Sequence, residues 1–181
     1  TFCDLHWRRS PDAVLADAKR LTKEGVIRRY IVLERGGIRF GIFGVLGKEA
    51  QIYTMDKAVK YTDAIEAAKE IVKVLRETEK VDIVICLSHG GVEKDKAGKY
   101  TDGDDVRLPK AVPGIDIVIG GHSHTELTEP IIVNGRTPVV QTGLEGRNLG
   151  ELVISIAGSK QSVVSYRLYP IDDSIAGDQT I

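Results

Sequence analysis

Two stretches of this chain are almost unbroken runs of β-branched and aliphatic residues, Val81-Asp-Ile-Val-Ile-Cys-Leu87 and Ile115-Asp-Ile-Val-Ile119, and each stops in a turn that combines glycine with histidine. Continuous apolar runs of this length suit strands covered on both faces, the pattern of a parallel sheet rather than of a half-exposed antiparallel one. The first run ends in Ser88-His89-Gly90-Gly91, the second in Gly120-Gly121-His122-Ser123-His124. In an open α/β sheet, functional groups gather just beyond the carboxyl ends of the strands. If the two strands are parallel neighbours, three of the four histidines meet at one rim. Glycine lets the backbone turn where a side chain would clash, and imidazoles at i and i+2 then reach toward one point, or toward two ions set close together.

The rest of the chain frames these strands. Ser10-Pro11 predicts a helix start, with Ser as N-cap and Pro in the first helical position. Val14, Leu15, Ala18 and Leu21 share a face, and Gly25 stops the helix. A hairpin follows, Tyr30 to Glu34 turned by Gly36-Gly37 into Ile38 to Val45. Glycines inside its second strand predict that another backbone lies close above it. A longer helix spans about Thr62 to Glu79, with Ile65, Ala68, Ile71 or Val72, and Leu75 as its apolar stripe. Between the two buried strands lies a polar loop, Glu93 to Asp105, and then a short helical turn from Val106 to Ala111. Asp102-Gly103-Asp104-Asp105 lacks the spacing of a calcium loop and reads as a solvated loop capping that turn.

Beyond residue 130 the character changes. Ile131 to Val133, Asn134-Gly135, and Thr137 to Thr142 form a strong hairpin signal. Leu149 to Ile156 and Val163 to Leu168 alternate like half-exposed antiparallel strands. The first part is α/β and the second mostly β. Residues 1–170 read as one domain and 171–181 as a linker or tail.

A length of 181 residues suits one domain with a real core. The net charge of −1, with both signs mixed throughout, removes the electrostatic case for binding a nucleic-acid polymer. There is no apolar run of membrane-spanning length, and the chain shows no signal-peptide h-region. The two cysteines, Cys3 and Cys86, make no disulfide framework; Cys86 lies in an apolar run and reads as a core residue.

These residues limit the chemistry at the rim. Neutral imidazole is a ligand for Zn, Mn, Fe or Co. No cysteine stands near to close a structural zinc site, so His89, His122 and His124 point to an open, water-accessible metal centre. Arg147, near the GLEGRNLG turn, reads as a surface ion-pairing residue and is left out of the site.

The segments LSHGG at 87–91, VPGIDIVIGGHSHTEL at 112–127, PVVQTGLEGRNLGELVISI at 138–156 and YIVLERGGIRFGIFGV at 30–45 resemble, in this order, the 5′-nucleotidase branch of the calcineurin-like metallophosphoesterases. The resemblance implies a layered α/β/β/α sandwich with two divalent metal ions at the strand ends. His89 and His122 would bind one ion and His124 the other. It also implies a hydrolase acting on the ester bonds of nucleotides or other small phosphoesters, and an extracytoplasmic location, periplasmic or secreted.

This sequence departs from the family pattern at its start. The family carries Asp-x-His at an early strand end, then a Gly-Asp loop and a Gly-Asn-His segment. Here there is no Asn-His and no Gly-Asp before Gly103-Asp104. Asp4-Leu5-His6 has the Asp-x-His spacing, making Asp4 and His6 further candidate ligands, though only Thr1-Phe2-Cys3 precede them. The chain therefore resembles the later half of a catalytic domain, lacking the first strands. The alternative function is a truncated or degenerate module of the same fold that binds metal or a partner without catalysis. Losing the early strands would expose sheet edge and apolar face, which predicts self-association or rearrangement of the first thirty residues.

Overall fold

The computed structural model describes residues 11–53, 61–157 and 160–177. Its strands are β1 (Tyr30–Arg35), β2 (Ile38–Leu46), β3 (Ile83–His89), β4 (Glu93–Lys94), β5 (Tyr100–Asp102), β6 (Ile117–Ile119), β7 (Ile131–Val133), β8 (Thr137–Val140), β9 (Asn148–Ala157) and β10 (Lys160–Pro170). The helices are α1 (Pro11–Lys23), α2 (Lys48–Ile52), α3 (Ala64–Lys73) and α4 (Asp104–Ala111), and a π-helical turn, Val74–Thr78, prolongs α3.

One six-stranded sheet organises the described residues, in the order β1-β2-β3-β6-β8-β7. Its inner pairs, β2 with β3, β3 with β6 and β6 with β8, are parallel. The outer pairs, β1 with β2 and β7 with β8, are antiparallel. The β1–β2 hairpin turns through two residues as its sequence predicts, whereas the β7–β8 register sets Val133 opposite Thr137 and so takes three residues, Asn134 to Arg136, around the same kind of turn. Gly36 and Gly37 have φ of 58° and 77°, and Asn134 and Gly135 have 53° and 65°. Positive φ at both central positions is what a type I′ hairpin requires. β9 and β10 form a separate antiparallel ribbon.

The helix expected at Thr62 to Glu79 divides into α3 and its π-helical turn. Asp63 caps α3, its carboxylate accepting from the backbone N–H groups of Ile65 and Glu66. Its stripe of Ala68, Ile71, Val72 and Leu75 is buried, and with Val106, Leu108 and Val112 it meets Phe43, Val84, Cys86, Val118 and Val139 of the sheet. Burying such apolar side chains contributes roughly 1.5–3 kcal/mol each. A close approach occurs at Gly41 as well, but from side chains rather than backbone. A methyl there would lie 2.7 Å from Leu75 Cδ2 and 3.1 Å from Val81 Cγ2.

The expectation that the central strands are covered on both faces needs correction. Val84, Cys86 and Val118 are fully buried beneath the helices, whereas Leu87 and Ile119 on the other face are 47% and 43% exposed. Ile31, Leu33 and Ile132 are open too. Of the four layers that the resemblance implies, the described residues supply a helix layer and the mostly parallel sheet it covers. The apolar runs record a sheet with two apolar faces, the second covered in part: Ile83, Ile117 and Val140 are buried on it, while Leu87 and Ile119 at the carboxyl ends stay open. The Glu93 to Asp105 segment also differs from a simple solvated loop. It forms the β4–β5 ribbon, and Asp105 at its end is completely buried.

Candidate metal centre

Parallel pairing of β3 with β6 brings the two glycine–histidine turns side by side, Leu87 standing opposite Ile119 in the register. The rings of His89 and His122 pack edge to face with centroids 5.1 Å apart. His124 is near enough that its charge, after burial and the charge of His122, lowers the pKa of His89. His89 is therefore neutral at neutral pH, with a ring lone pair available to a metal. Asp4 and His6 lie outside the described residues.

The backbone of the second turn is unusual. His122 and His124 have φ of 73° and 52°. Non-glycine residues in this region are strained by about 1–3 kcal/mol, and such strain concentrates at functional sites. Gly121 has a different task. A methyl there would come within 3.2 Å of His89 Nδ1, so glycine lets the His89 ring lie over the neighbouring turn.

Buried polar groups hold the strained turn in place. Gln141, at the end of β8, is 1% exposed. Its Nε2 donates to the Gly121 carbonyl over 2.9 Å. Its Oε1 accepts from the Thr125 N–H and from Ser123 Oγ. Ser123 Oγ in turn accepts from the Val92 N–H over 3.1 Å, joining the second turn to the first.

The short helix α2 adds Glu49 and Tyr53, which were not foreseen. Glu49 Oε2 lies 3.8 Å from His122 Nε2, and the Tyr53 ring lies 6.0 Å from that of His122. No periodicity or motif marks α2, whose Glu is an ordinary surface residue in type. Gln141 did leave a signal, being the one amide in an otherwise apolar Pro138-Val-Val run. Arg147 pairs with Glu145 at the surface, as its sequence context suggested.

Whether these residues suit a divalent cation can be judged from their donors. The rim offers imidazole nitrogens, neutral at His89, at an open position. That matches the preferences of first-row dications. Among the described residues, no three His, Cys, Asp or Glu side chains surround a single point as a ready ligand set. The rim therefore fits a metal as the imidazole part of a ligand shell.

Comparison with known proteins places the chain. The sequence pattern of the calcineurin-like phosphoesterases matches residues 7–126. The trifunctional nucleotide phosphoesterase protein YfkN of Bacillus subtilis is 33% identical over 159 residues, covering 83% of this chain and 10% of that protein. An apyrase of Tabanus yao is 38% identical over 120 residues, covering 64% of this chain and 19% of its own length. The crystal structure of a putative 5′-nucleotidase from Staphylococcus aureus shares the fold with a TM-score of 0.65 at 23% identity, over 84% of this chain and 32% of that one. This chain thus spans between a tenth and about a third of the length of these three proteins.

Proposed function

The chain belongs to the calcineurin-like phosphoesterase family, and on that premise we propose that it forms part of a metal-dependent domain that hydrolyses phosphate esters of nucleotides. Its relatives are named for nucleotide phosphoesterase and apyrase activities. The observation that carries the reading is the meeting of His89 with His122 at the carboxyl ends of neighbouring parallel strands.

In this reading His89, His122 and His124 hold divalent ions, two in the complete domain, drawn from Zn, Mn, Fe or Co. Bound ions of this kind neutralise charge on the phosphoryl oxygens of the ester. The protein's own part is to orient the imidazoles. Gln141 fixes the His122–His124 turn, and burial with the neighbouring imidazoles lowers the pKa of His89, favouring the neutral, ligating ring.

The supporting assignments follow the same logic. Residues 1–170 form one partial domain and 171–181 a linker, in an extracytoplasmic protein. Among the described residues no helix is long and apolar enough to cross a membrane. The edge strand β1 and the open apolar face support self-association of isolated chains through a second copy.

Elemental analysis of the purified chain, with p-nitrophenyl phosphate turnover in added Mn²⁺ or Zn²⁺, tests the proposal. Bound metal with metal-dependent turnover is expected. Neither metal nor turnover would overturn the hydrolytic reading for this chain. Light scattering that finds only monomers contradicts the self-association.

A further inference from the structure

A single carboxylate lies beneath both histidine turns. Asp105, the second residue of α4, is completely buried. A methyl at Gly90 would lie 2.7 Å from its Oδ1, and a methyl at Gly120 would collide with its Oδ2. The carboxylate therefore occupies the space where side chains of the two turns would stand. That is why each turn carries glycine next to its strand.

The groups facing Asp105 come from both turns. They are the Ser88 hydroxyl and the backbone N–H groups of Gly91, Gly90 and Gly121. Its own N–H donates to the Gly91 carbonyl over 3.0 Å. These donors favour the charged form, but neither oxygen has a fully formed hydrogen bond. Burial outweighs them and pushes the carboxyl up to about 6. Below it, the Cys86 thiol is raised by burial and by the Asp105 charge. A buried, incompletely satisfied carboxylate lowers stability, so the packing alone gives no reason for one here.

We infer that Asp105 is a positioning residue, whose carboxylate draws the backbone amides of both turns toward one point and so sets the separation of the His89 imidazole from those of His122 and His124. It touches neither substrate nor metal and acts through the backbone of the turns. Partners one step behind metal ligands commonly alter affinity by about 10- to 100-fold when replaced. The inference rests on reading the rim as a metal site.

The test has two arms. In calorimetric titration of Mn²⁺ into the folded chain, Asp105→Asn is expected to weaken binding by about 10- to 100-fold, with far-UV circular dichroism unchanged. Affinity within twofold of the parent overturns the inference. In the second arm, amide hydrogen exchange on the unaltered chain needs neither a variant nor a metal. The Gly90, Gly91 and Gly121 amides are expected to be protected together. Free exchange of the Gly90 or Gly121 amide overturns the anchoring. If the unaltered chain binds no Mn²⁺, the metal reading of the rim fails, while the exchange arm still decides whether Asp105 joins the turns.

Discussion

Among the described residues two carboxylates are completely buried, at opposite ends of the same parallel strands. Asp116 precedes β6 at the amino end of the strands. One of its oxygens accepts from Arg76 and from the Val84 N–H, the other from Arg136. Asp105 lies under the carboxyl ends, facing a hydroxyl and backbone amides that do not complete its hydrogen bonding. A fully paired buried charge serves the fold, and breaking such a pair is costly because the remaining charge has no solvent. A half-satisfied one lowers stability, and the proposed positioning of the two turns supplies its reason here. The contrast separates the end of the sheet that holds the domain together from the end where we propose the metal-dependent chemistry.

Breaking the satisfied end should have the largest effect. Arg76→Ala leaves Asp116 buried with one guanidinium, and a loss of about 3–5 kcal/mol is expected in denaturant unfolding. Metal affinity of the fraction that remains folded should not change. A loss of metal binding in folded Arg76→Ala protein would mean the two ends are not separate.

The pH dependence of stability sharpens the comparison from the other side. The folded-state pKa of Asp105 is raised from 3.8 to about 6. The native state thus binds a proton more readily than the unfolded chain. The associated stabilisation is complete below 3.8 and is lost as pH rises through about 6. Relative to Asp105→Asn, the unaltered chain should gain on the order of 3 kcal/mol across that window as pH falls. A stability difference between the two that stays flat with pH contradicts the burial argument.

A smaller effect is expected at Gln141. Replacing it by Leu leaves the Gly121 carbonyl and Thr125 N–H without their partner, a cost of about 1–3 kcal/mol in thermal or chemical unfolding. Binding of Mn²⁺ should weaken in the same variant, because the strained His122–His124 turn loses its tie. The smallest effect is at Arg147, whose exposed pairing with Glu145 should contribute nothing measurable. Arg147→Ala should leave both the unfolding midpoint and the metal affinity unchanged.

Much of this organisation is legible in the residue order, for identifiable reasons. The central strands and α3 announce themselves because their apolar periods are local. The type I′ hairpins do so because Gly36-Gly37 and Asn134-Gly135 are pairs that tolerate positive φ. The meeting of His89 with His122 follows once parallel pairing is assumed. Asp105 could not be foreseen in this way. Asp102-Gly103-Asp104-Asp105 has the composition of a solvated cap, and only closure of two distant turns above it takes Asp105 out of water. Asp116 had a visible sign, a charge inside an otherwise continuous β-branched run, but its partners Arg76 and Arg136 lie far away in sequence. The exposure of Leu87 and Ile119, on a face where Ile83 and Ile117 are buried, was not legible because an apolar run records affinity for cover, not the presence of it.

Anomalous diffraction from crystals soaked in Zn²⁺ tests the central claim most directly. The account predicts a peak at the rim, with imidazole nitrogens of His89 and His122 at about 2.0–2.1 Å. Density with no peak beside either ring, or with zinc bound only elsewhere on the chain, would contradict it.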